Sequence, residues 1–191
     1  MGALAEMLVR GEKERLKTRF RDIVILTGTA AAGATALALC NQSFLAIWTG
    51  GKVYWNPTND LLMAVSFFIY ALTRLSIVMV GLNKQIRAMK YIYFIEGAAF
   101  VGLSLFLGRI WGFQGIILSG IVTNLLFSGS YGAWRVTQYF EISFGELLGN
   151  WLNRPVLLFL VAGIIAFAFW MATQSLSAPW RLAINASLFG I

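Results

Sequence analysis

Residues 61–82 read LLMAVSFFIYALTRLSIVMVGL, a run in which Arg74 is the only charged side chain. At 1.5 Å per residue, a helix of this length crosses a hydrocarbon core of roughly 30 Å. The run does not alternate as a barrel strand would, and lipid offers no partner for free backbone N–H and C=O groups, so it is stable there only as a helix. Comparable apolar runs lie on either side, at about 23–48, 91–107, 113–134 and 156–173. A further one starts at 182 with too few residues left to cross a bilayer. The expectation is an all-α, polytopic integral membrane bundle of about five complete transmembrane helices plus a truncated sixth.

Composition agrees with that reading. Of 191 residues, 59% are hydrophobic and 12% charged, about half the charged share of a soluble domain. The lipid bilayer is therefore the expected partner. The net charge of +7 would suit nucleic acid, but the cations flank apolar spans, where anionic headgroups lie, so no nucleic acid is expected. A lone Cys40 rules out an internal disulfide, and a chain without histidine is a poor zinc ligand. No metal and no cofactor are expected.

Residues 1–22 carry Glu6, Arg10, Lys13, Arg15, Lys17, Arg19, Arg21 and Asp22, too polar and too long for the n-region of a signal peptide. They read as a charged amphipathic segment ahead of the bundle at 23–191. The first span, rich in small residues, ends in the aromatic and turn cluster Trp48-Thr49-Gly50-Gly51 and Tyr54-Trp55-Asn56-Pro57. Between Gln138 and Leu152 the apolar residues Phe140, Phe144, Leu147, Leu148 and Trp151 recur at helical spacing, which predicts an interfacial helix over 138–152. Eleven of the Lys and Arg residues fall before the first span and in alternate connections after it, against three on the other side. The positive-inside rule then places the N-terminus in the cytoplasm.

Three polar side chains inside spans are the candidate site residues: Arg74, Glu96 and Asn124. Arg74 and Glu96 lie about eight and six residues from the same membrane face, roughly 9–12 Å deep. The short connection between their spans predicts antiparallel neighbours. Because a buried charge costs several kcal/mol unless paired or hydrated, an Arg74–Glu96 pair is the natural solution. The two either form a static pair or snorkel to the headgroups, or one or both line a polar cavity open to an anionic substrate. Asn124 either bonds a neighbouring helix or lines the same cavity. Gly28 with Ala32 and Ser128 with Gly132 have small-xxx-small spacing, read as helix packing. No phosphate-cradling glycine loop, no nucleophile elbow and no carboxylate cluster is present, so covalent catalysis is not expected.

The order of features resembles the C-terminal part of the polysaccharide exporters, or oligosaccharide flippases, of the multidrug/oligosaccharidyl-lipid/polysaccharide superfamily. The residues that carry the likeness are Leu4-Ala5-Glu6 through Gly11-Glu12-Lys13-Glu14-Arg15-Leu16, then Phe44-Leu45-Ala46-Ile47-Trp48-Thr49-Gly50. They continue with Ile95-Glu96-Gly97 to Ser104, Gly112-Phe113-Gln114-Gly115, and Tyr139-Phe140-Glu141-Ile142-Ser143 to Glu146-Leu147-Leu148. The family often has an asparagine four residues after the glutamate, where this chain has Phe100.

The resemblance implies a fragment of a flippase in the cell (inner) membrane that moves an undecaprenyl-diphosphate-linked oligosaccharide for O-antigen, lipopolysaccharide or related polysaccharide biosynthesis. Transport would be by alternating access, and the missing N-terminal helical bundle would be the structural partner. A diphosphate needs cationic groups in the cavity, which singles out Arg74, with Glu96 as its partner or as a coupling-ion site. Two other readings stand beside it. One is a multidrug exporter of the same superfamily, and the other is a non-transporting membrane scaffold or assembly subunit.

Overall fold

The computed structural model describes residues 2–53, 55–82, 86–173, 179–180 and 183. Among them are the helices α1 (Gly2–Val9), α2 (Lys13–Trp48), α3 (Pro57–Leu82) and α4 (Ile86–Trp111), followed by α5 (Phe113–Phe140) and α6 (Phe144–Thr173). No strand occurs among the described residues. Four helices, α3 to α6, are long and apolar enough to cross a membrane. The span expected at 23–48 lies within α2, and side chains 34–40 of that helix are outside the described residues. Most of the stretch that begins at 182 is outside them too.

Local chemistry sets the breaks. Pro57 opens α3, where its missing N–H costs nothing, and Asn56 Oδ1 accepts from Thr58 N at 3.0 Å. Gly112 turns the chain between α4 and α5 in one residue, with φ +59°, a conformation that favours glycine. Ser143 Oγ accepts from Glu146 N at 3.0 Å, the first half of an S-x-x-E capping box at the start of α6. Both α5 and α6 contain a widened π-helical turn, at Leu125–Gly129 and Leu147–Leu152. The second lies just before Pro155, which has no N–H to give and whose ring crowds the Trp151 carbonyl one turn back.

Two boundaries differ from expectation. The charged residues 13–22 and the apolar residues after them belong to one unbroken helix, because nothing between Lys13 and Trp48 is a proline or forces a turn. The single interfacial helix expected over 138–152 is broken: Glu141 is left-handed at φ 53°, and the chain on either side belongs to α5 and to α6. Its apolar residues Phe140, Leu147 and Trp151 are buried against the rest of the protein. They meet Leu16, Phe20 and Val24 of α2, Met79 of α3 and Val136 of α5 in the main core.

The helices pack in the order α6, α2, α3, α5, α4. α3 and α4, consecutive in the chain, barely touch; α5 lies between them. The reason is in the small residues of α5. A side chain at Gly115 would collide with the Leu107 carbonyl of α4, and one at Gly132 would crowd Ser76 of α3, so both neighbours approach α5 to backbone distance. Gly28 of α2 likewise lies against Pro155 of α6. Both small-xxx-small stretches singled out in the sequence thus lie at helix contacts, where Ser128 is fully buried.

Candidate functional site

The widened turn of α5 puts polar groups where an apolar helix would show none. Its i→i+5 bonding, seen in Ser130 N donating to Leu125 O, presents the Ser128 N–H toward α4. There Glu96 Oε2 accepts from it at 3.2 Å. One turn earlier, Asn124 Nδ2 donates to Glu96 Oε1 at 3.4 Å and to Ser128 Oγ at 3.0 Å. Three residues on two helices thus form one hydrogen-bonded cluster in the middle of two spans. Asn124 Oδ1 is buried in it without a partner, one acceptor that the cluster leaves unsatisfied. The hydroxyls nearby are committed to their own helix: Ser119 donates to Gly115 O at 2.7 Å and Thr123 to Ser119 O at 2.8 Å.

Glu96 also faces a cleft. Because α3 and α4 barely touch each other, an open space of about 380 Å³ remains among the three helices. Its walls include Tyr70 of α3, Tyr93, Glu96 and Phe100 of α4, and Gly120 and Thr123 of α5. A side chain at Gly120 would collide with the Tyr70 hydroxyl, so that tyrosine crosses the floor of the cleft to reach α5.

The expected Arg74–Glu96 pair does not form. A short loop constrains only the ends of two helices, and α5 separates the middles of α3 and α4. Arg74 is exposed on α3 and has no ion pair or hydrogen bond among the described residues. The structure therefore joins Glu96 to Asn124 and leaves Arg74 apart. Asn124 does bond a neighbouring helix, as one of its two sequence readings expected.

Sequence reasoning passed over Ser128 as a bonding group, and Tyr70 and Tyr93 as cleft walls. Ser128 lies four residues after Asn124, a spacing that puts both on one helical face and was open to notice. The π turn that delivers its N–H has no sequence mark. Among the described residues no group of three His, Cys, Asp or Glu side chains gathers to hold a metal ion. No family model, no curated protein and no solved structure matches the chain.

Proposed function

We propose that this chain supplies part of a lipid-linked oligosaccharide flippase, with five membrane spans, the start of a sixth, and its N-terminus in the cytoplasm. Its substrate class is an undecaprenyl-diphosphate-linked sugar unit, carried by alternating access against a second helical bundle. The observation that supports it is Arg74: a guanidinium within a span whose charge no carboxylate among the described residues neutralises. An intramembrane cation of this kind is costly unless it is paired, reaches the headgroups or serves a ligand, and a guanidinium fork matches phosphate oxygens. The orphaned Asn124 Oδ1 beside Glu96 adds a second polar position, suited to a coupling ion.

A specific observation favours the multidrug-exporter reading as well. The cleft sets the Glu96 carboxylate among Tyr70, Tyr93 and Phe100, and a carboxylate with aromatic faces is the chemistry that receives an organic ammonium. One binding experiment separates the readings. The purified chain in detergent is titrated with a polyprenyl diphosphate and, separately, with tetraphenylphosphonium, following tryptophan fluorescence. The flippase reading expects diphosphate binding that Arg74→Ala weakens about tenfold or more, the loss of one charge-assisted contact, while Glu96→Gln spares it. Binding of the organic cation alone, lost in Glu96→Gln, would replace it with the exporter. Binding of neither, with Arg74 dispensable, would leave the scaffold.

A further inference from the structure

A second pocket, of about 290 Å³, lies at the charged end of the bundle between α2 and the first turns of α6. From α2 it receives Glu14, Lys17 and Arg21, one helical face at spacings of three and four residues; from α6 it receives Glu146 and Asn150, with buried Trp151 behind. Lys17 and Glu146 face each other at 3.5 Å. Among the described residues the Arg21 guanidinium, the Glu14 carboxylate and the Asn150 amide make no hydrogen bond or ion pair. The pocket thus holds unspent charge of both signs.

The order of those charges is what identifies a ligand. Both helices run through the pocket toward the membrane, since the apolar stretch of α2 begins at Ile23 and that of α6 at Val156. Glu14 and Glu146 are therefore at the outer, aqueous end, and Arg21 and Asn150 at the inner end. The Lys17–Glu146 contact sets the register, so Asn150, four residues further along, comes level with Arg21, about 6 Å deeper. A phospholipid headgroup has the complementary order. Its phosphate sits next to the glycerol, at the apolar boundary, and an ammonium, where there is one, reaches outward on a two-carbon arm.

We propose that this pocket binds the headgroup of a phosphatidylethanolamine, with the phosphate against Arg21 and Asn150 and the ammonium against Glu14 and Glu146. Lys17 bridges the two levels. A purely anionic headgroup would satisfy the cations but leave Glu14 without a positive partner, since Glu146 already has Lys17. A choline headgroup has no N–H to donate to them. The pocket is independent of the Glu96 cleft, and the proposal does not depend on what that cleft transports.

The test uses the full chain in detergent with short-chain phosphatidylethanolamine, phosphatidylglycerol and phosphatidylcholine, and with inorganic phosphate as a competitor. Lipid retention is read by native mass spectrometry. The expected result is preferential retention of phosphatidylethanolamine, weakened about tenfold by Arg21→Ala through loss of a charge-assisted contact. Glu14→Gln is expected to erase the preference over phosphatidylglycerol while leaving phosphatidylglycerol retention intact. Arg15→Ala, outside the pocket, is expected to change neither. Arg21, Glu14 and Arg15 are all exposed, and a far-UV circular dichroism melt of each variant confirms its fold. Equal retention of the three lipids would overturn the proposal, as would tighter binding of phosphatidylglycerol, which would mean a basic patch alone. Displacement of the lipid by inorganic phosphate, alike in wild type and Glu14→Gln, would overturn it in favour of a simple phosphate site.

Discussion

At the charged end of the bundle, Phe20, Phe140 and Trp151 meet with ring centroids 5.7–6.0 Å apart, and the ion pairs among the described residues lie on the rim, Lys13 with Glu141 and Lys17 with Glu146 among them. In the middle of the spans the arrangement is reversed: Glu96, Asn124 and Ser128 are bonded to one another at the contact of α4 and α5, and apolar side chains face outward. The difference follows the solvent. Near water, burying aromatic surface is favourable, and charges on the rim are hydrated whether or not they are paired. Within lipid, apolar burial brings little, since lipid is as apolar as the side chain, and close backbone approach and hydrogen bonds carry helix association instead. On this reasoning the charged end is the firmer of the two and the middle the more adaptable.

Substitutions can break or sharpen that contrast. The largest expected effect is at the firm end: Trp151→Ala removes a side chain only 1% exposed at the centre of the aromatic cluster and is expected to cost about 3–5 kcal/mol, measured by denaturant titration in detergent. A much smaller loss would mean that the cluster is not the anchor. Next, Gly132→Leu forces a side chain against Ser76 and is expected to cost about 1–3 kcal/mol, with α3 and α5 driven apart, readable as a change in cross-linking between engineered cysteines on the two helices. Asn124→Ala removes one interhelical donor and is expected to cost only about 0.6–1.7 kcal/mol. If it cost as much as Trp151→Ala, the middle would be as rigid as the end.

The smallest effect belongs to the rim. The ion pair with Glu141 raises the Lys13 ammonium above its ordinary 10.5, and the same pair lowers the Glu141 carboxyl below its ordinary 4.5. A lowered carboxyl gives stability that is present above 4.5 and lost as pH falls through the folded value; a raised ammonium gives stability present below 10.5 and lost as pH rises through its folded value. Glu141 is exposed and Lys13 partly so, and water screens the pair. A Glu141→Gln variant is therefore expected to match wild type closely at neutral pH and to flatten what acid dependence there is, followed by thermal melts across the acid range.

Much of the fold was legible in the residues. The run 61–82 and its counterparts specified membrane-crossing helices, because hydrophobicity and length act through lipid without reference to any other segment. The cluster at Glu96 was half legible. Glu96 and Asn124 stood out as polar residues in apolar surroundings, and so they were found. Their pairing was misread, because a short loop between spans suggested that α3 and α4 were neighbours, whereas the small residues at 115, 120 and 132 let α5 in between.

By itself, the sequence determined that this chain is helical, that several of its helices suit a bilayer, and that Arg74, Glu96 and Asn124 are the costly residues to place there. Those are properties of single segments and single side chains. Tertiary structure alone decided which charge meets which partner: Glu96 bonds Asn124 and Ser128, Arg74 stands apart, and Arg21 faces Asn150 across a pocket between α2 and α6. Such pairings depend on how closely two backbones approach and on one widened turn. Both are set by packing between segments far apart in the chain, and neither has a local sequence signature.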